Sequence, residues 1–138
     1  MTHGTPGTSS GTSGSSGTPR SATTTFVTIS TKNKHILARF DVAAIGPREA
    51  ATIALEISRA IEGATKGKCL VIDLSRTMSL SSMGLGLCVD IRNRAVDAGL
   101  RPVLAGMNVQ LTDLVRMMRV DRLFTITSSI VDLERLLL

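Results

Sequence analysis

The chain has 138 residues, 43% of them hydrophobic, enough for one domain with a core of its own. Phe26, Phe40 and Phe124 are its only aromatics, which leaves too few rings for stacking on nucleic-acid bases. A net charge of +5 tunes association with an acidic partner without deciding the fold, and no apolar run approaches the roughly 20 residues of a membrane helix.

Residues 1–24 are almost all Gly, Ser, Thr and Pro. Such a stretch buries too little apolar surface to offset its chain entropy. It is expected to be a flexible tail, with the folded domain over 25–138. The tail has no apolar segment of the signal-peptide kind, which points to a cytoplasmic protein. Cys69 and Cys88 are then expected to be free thiols; a redox pair is the alternative, since the two fall in adjacent elements.

Thr25–Ser30 alternates in period two and predicts a strand. Lys32-Asn33-Lys34 reads as a polar turn and His35–Asp41 as a second strand, so the two make a hairpin. His35 is expected at a strand edge, without a catalytic partner near it in sequence. Gly46-Pro47 opens a helix, with proline suited to its first turn. Ile53, Ile57, Ala60, Ile61 and Ala64 form one apolar stripe along it, and Gly63 and Gly67 mark its end.

Leu70–Ser75 is a short apolar run rich in β-branched residues, the pattern of a buried strand. A loop of small hydroxyl residues follows and opens the next helix, about Ser82–Ala98, with Gly99 after it. Ser81 or Ser82 stands where an N-cap belongs. A serine at that place lies beside unpaired amides at the positive end of a helix, where it either caps the helix or carries a phosphate. Arg101–Gly106 predicts a fourth strand, and Asn108 caps a helix carrying Leu111, Leu114, Val115 and Met118. Leu123–Ile126 predicts a fifth strand. Ser129 with Asp132 opens a last helix to Leu138. The order ββαβαβαβα implies an α/β domain with a mixed, mostly parallel five-stranded sheet and four helices.

Other patterns carry less. Gly84-Leu85-Gly86 lacks the third glycine of a dinucleotide loop, since Val89 stands there, and no Gly-Lys-Ser/Thr follows. Arg116, Arg119 and Arg122 at three-residue spacing predict one basic edge, either solvated or facing an acidic partner. Met83, Met107, Met117 and Met118 are core candidates, with Met83 and Met117 alternatively adaptable contact residues. No nucleophile–base–acid set and no cluster of metal ligands is visible, so neither an enzyme nor a cofactor is expected.

The element order, the strand Val71–Ser75, the loop Leu80-Ser81-Ser82-Met83-Gly84-Leu85-Gly86 and the later Leu104-Ala105-Gly106 together resemble the STAS family of anti-sigma factor antagonists. The resemblance covers residues 25–138. The family's loop reads Asp-Ser-(Ser/Ala/Thr)-Gly-Leu-Gly. Aligned on the glycine, its phosphorylated serine falls on Ser82, its aspartate on Ser81 and its second small residue on Met83. Ser81 and Ser79 are fallback acceptors.

The resemblance implies a partner-switching protein. The unphosphorylated form binds an anti-sigma factor that is also a serine kinase and so releases a sigma factor. Phosphorylation of the loop serine breaks the complex, and a phosphatase restores it. The implied partner surface is Asp41, Ser81, Ser82, Met83, Gly84 and Leu85, on a monomer or weak dimer that touches neither nucleic acid nor membrane. The alternatives are a regulatory or scaffold STAS module without phosphorylation, and a small-ligand-binding STAS protein that uses the loop as an anion site.

Overall fold

Ser21–Thr23 (β1), Val27–Lys32 (β2) and His35–Phe40 (β3) form an antiparallel ribbon at one side of the sheet. The computed structural model describes residues 21–23 and 26–138, so the expected tail up to residue 20 lies outside it. β1 lies within the stretch the sequence reads as tail, so ordered backbone begins before residue 25. A two-residue turn, Asn33-Lys34, joins β2 to β3. Both residues have positive φ, 52° and 68°, the turn geometry whose twist matches that of the flanking strands.

The remaining elements are Pro47–Glu62 (α1), Cys69–Asp73 (β4), Ser82–Asp97 (α2), Arg101–Ala105 (β5), Val109–Met117 (α3), a 3-10 turn at Val120–Leu123, Thr125–Ile126 (β6) and Ile130–Leu136 (α4). All five expected strands and four expected helices are present in the expected order. β1 adds a sixth strand. The sheet runs β1-β2-β3-β4-β5-β6, with β3 to β6 parallel.

Register explains the core. Ile29, Ala38, Ile72, Leu104 and Ile126 stand side by side across the sheet and so point to one face. There they meet Ile53 and Ile57 of α1, Leu87 and Ile91 of α2, and Leu111 and Val115 of α3. The alternate row, Leu37, Val71 and Val103, points to the other face, where Leu133, Leu136 and Leu137 at the end of the chain cover it. β4 is therefore covered on both faces, which is why it reads as an unbroken apolar run. Right-handed crossovers in a sheet that grows in one direction put α1, α2 and α3 on one face. α4 closes the other.

Several expectations shift. α3 stops at Met117 and Arg119 takes a left-handed conformation (φ 60°), so helical spacing does not carry Arg116, Arg119 and Arg122 onto one edge. The same break leaves Met117 and Met118 exposed, not in the core. Met83 is also exposed. Leu123 ends the 3-10 turn instead of starting a strand. His35 is buried, not at an open edge, and its Nδ1 accepts the Cys69 N–H at 2.9 Å. Cys69 and Cys88 are free and lie in separate clusters on opposite faces of the sheet, which excludes a pair in this fold. Burial pushes the Cys88 thiol up to about 12, so it stays protonated.

Candidate functional site

The site lies at the carboxyl edge of the sheet, where β4 gives way to α2. Asp73 ends the strand, and its Oδ1 accepts the Ser75 N–H at 2.9 Å, which turns the chain. The Leu74 N–H still donates to the Ala105 carbonyl at 2.9 Å. Gly106, just past β5, comes very close. Its φ is +75°, and a Cβ there would stand 2.7 Å from Asp73 Oδ1 and 2.9 Å from Ser75 N. Only glycine fits both the angle and the space.

The loop from Ser75 to Ser81 is held from two sides. The N–H groups of Met78 and Ser79 both donate to the Ala43 carbonyl, at 2.9 and 3.2 Å. On the other side Asn108, the N-cap of α3, donates from Nδ2 to the Met78 carbonyl at 3.3 Å.

Of the two candidate caps, Ser81 is the N-cap of α2. Its backbone is extended, and its Oγ accepts the Gly84 N–H at 3.3 Å. Ser82 is the first helical residue. It is exposed, and its hydroxyl makes no hydrogen bond among the described residues. The first turn of α2 carries no acidic residue. Nothing there offsets the partial positive charge of the helix end.

Gly84 lets this end of α2 sit low on the core, because a Cβ there would lie 2.8 Å from Leu80 Cδ2. Gly84 and Leu85 are buried, the latter 7% exposed, so they shape the junction from beneath instead of facing outward as expected. Ser79, Ser81, Ser82 and Met83 do face outward. Sequence reasoning missed two apolar neighbours. Met78 is 61% and Val109 76% exposed, and Met83 is 44% exposed. The Asn108–Met78 hydrogen bond brings the start of α3 to the loop, and no local sequence signal announces that contact.

Asp41 lies just past β3. Its carboxylate accepts from the Thr28 hydroxyl, from Arg39 Nε at 2.7 Å and from Arg76 Nη1 at 3.4 Å. Burial alone would raise its pKa. The hydrogen bonds from Thr28 and Arg39 and the charges of Arg39 and Arg76 outweigh that and hold it below the ordinary carboxylate value. Asp41 thus ties β2, β3 and the serine loop together.

Among the described residues, no group of three or more His, Cys, Asp or Glu is placed to hold a metal, and no helix is long and apolar enough to cross a membrane. What the junction offers is a free hydroxyl on a helix end, with exposed apolar residues in the adjoining loop and first helical turn and an ion pair from Arg76 that ties the loop to Asp41. This is an α/β domain with four helices packed on a mixed, mostly parallel sheet.

The chain belongs to the STAS domain family, whose match spans residues 28–133. An anti-sigma-factor antagonist (STAS) domain protein from Planctomyces limnophilus has a similar structure, with a TM-score of 0.69 at 18% identity over 80% of this chain and 94% of that one. A putative anti-sigma factor antagonist from Thermotoga maritima gives 0.62 at 17% identity over 73% and 86%. The anti-sigma factor antagonist SpoIIAA in its unphosphorylated form gives 0.60 at 14% identity over 79% and 94%. At such identities the likeness is one of fold. A comparison with curated proteins finds no match.

Proposed function

We propose that this chain is a cytoplasmic anti-sigma factor antagonist that acts by binding, not by catalysis, and that phosphate on Ser82 switches it off. Its partner is an anti-sigma factor that is also a serine kinase, and a phosphatase resets the switch. The observation that carries this reading is the unengaged, exposed hydroxyl of Ser82 at the first position of α2, while its neighbour Ser81 does the capping.

The division of labour matters physically. A phosphate on Ser82 leaves the cap intact and adds roughly −1.5 to −2 charges at neutral pH. The helix end tolerates that charge, so the fold has no need to change. At a packed interface the same charge meets apolar Met78 and Met83 and must be desolvated. A hundredfold loss of affinity needs about 2.8 kcal/mol, which one poorly solvated charge supplies.

The test is incubation with ATP and a kinase-type anti-sigma factor, followed by mapping of any added phosphate by mass spectrometry. Phosphate on Ser82, lost in Ser82→Ala, is the expected result. Phosphate on Ser81 or Ser79 instead would move the switch. A Ser82→Glu variant that binds the anti-sigma factor as tightly as the parent would refute the charge mechanism.

A further inference from the structure

The connections that leave β5 and β6 part company. α3 follows β5 onto one face of the sheet and α4 follows β6 onto the other. A crevice opens where neighbouring connections diverge at the carboxyl ends of parallel strands, and this is where α/β sheets hold ligands. Here it is a cavity of about 670 Å³, within the roughly 300–1,000 Å³ of small-molecule sites.

α3 turns two different stripes to its surroundings. Leu111 and Val115 go to the core, while Val109, Thr112, Asp113 and Arg116 line the crevice. Ile130 and Leu133 of α4 line the opposite side, and Asp73 closes it at the end of β4. The wall is therefore mostly apolar, with two carboxylates and one guanidinium set into it. Among the described residues, Asp113 and Arg116 make no ion pair and no side-chain hydrogen bond, and Asp73 Oδ2 has no partner. Val109 and Ile130, 76% and 78% exposed, present bare apolar surface to the same crevice.

We propose that this crevice binds a small zwitterion with an apolar body, the chemistry of an apolar amino acid or dipeptide. Its carboxylate goes to Arg116, its ammonium to Asp73 and Asp113, and its apolar part covers Ile130, Leu133 and Val109. A ligand bearing only a carboxylate would face two like charges. One bearing only an ammonium would leave the guanidinium unmatched. Ser75 belongs to both the crevice and the serine loop, so an occupant would touch the segment that leads to Ser82.

The experiment is a titration of the full, 15N-labelled chain with leucine and with the dipeptide Leu-Leu, using isovaleric acid and isoamylamine as one-ended controls. Saturable amide shifts at Gly106, Thr127 and Ser128 are expected from at least one zwitterion, and the comparison of leucine with Leu-Leu tells free amino acid from peptide. Each control should bind about tenfold more weakly or worse, as should the zwitterion to Arg116→Gln and Asp113→Asn, whose side chains are exposed and unpartnered. Absence of shifts with both zwitterions at millimolar concentration, equal binding of the controls, or unchanged affinity in both variants would overturn the proposal. No anti-sigma factor enters the experiment, so its failure leaves the reading of Ser82 untouched.

Discussion

Arg76 of the serine loop reaches back to Asp41 past the end of β3, Nη1 to Oδ1 at 3.4 Å. The same carboxylate holds Arg39 and the Thr28 hydroxyl, so one largely buried charge joins two strands and a loop. Asp41→Asn should lower stability by about 1.5–3 kcal/mol at neutral pH, the range for hydrogen bonds to a charged group. The sign with pH follows from the depressed pKa. The contribution is complete well above the ordinary value of 3.8 and fades as pH falls through it to the lower folded value. Urea denaturation of parent and variant from neutral to strongly acid pH should show their stabilities converging in acid.

The two serines should differ in what they contribute to the helix end. Ser81→Ala removes the acceptor for the Gly84 N–H and should cost about 1 kcal/mol. Ser82→Ala should change stability by less than about 0.5 kcal/mol, since its hydroxyl holds nothing. Ser82→Asp should stabilise by about 0.3–1 kcal/mol at low ionic strength, because the first turn of α2 lacks an acidic residue, and salt should erase the gain. Chemical denaturation at low and high salt checks the three variants together.

The glycines should rank in a definite order. Gly106→Ala combines a positive φ with a Cβ 2.7 Å from Asp73 Oδ1 and should cost about 1–3 kcal/mol. Gly84→Ala is crowded by the end of the Leu80 side chain at 2.8 Å, with Ile45 Cδ1 and Leu80 Cβ in ordinary contact at 3.6 Å, and its φ is not positive, so its cost should be smaller. Gly86→Ala meets nothing within 4 Å and should stabilise by about 0.5–1 kcal/mol, the helical preference for alanine. Thermal melts of the three variants test the order.

His35 should act as an acid-sensitive weak point. Burial lowers its pKa below 6.5, the charges of Lys68 and Arg101 add to this, and the Leu138 backbone opposes it without prevailing. The unfolded chain therefore takes up the proton first, and stability should fall as pH drops from 6.5 towards the folded value. His35→Gln, which keeps an acceptor for the Cys69 N–H, should flatten that part of the stability profile.

Much of this architecture is legible in local sequence. Leu70–Ile72 declares itself a strand covered on both faces, and hydroxyl residues before a helical apolar pattern mark the start of α2. The misses share a physical cause. β1 pairs with β2 in a Ser-Ala-Thr stretch with no apolar pattern to read. Met118 follows the periodicity of α3, but the helix stops one residue short and a left-handed Arg119 redirects the chain. Leu85 is buried because Gly84 brings α2 down onto Leu80, a matter of depth that spacing does not encode. Met78 and Val109 become neighbours through the side chain of Asn108, a bridge between segments about 30 residues apart.

The strictly sequential strand order has a consequence for assembly. From β2 onward, each strand that leaves the ribosome finds its partner already made, so the sheet can zip from amino to carboxyl end without waiting for distant chain. The serine loop is the exception. Its Met78 carbonyl is clasped only when Asn108 has been synthesised, and α4 must then close the far face over β4. A nascent chain halted before Asn108 would therefore hold the serine loop from the Ala43 side alone, and the second clasp would close only once the start of α3 had been made.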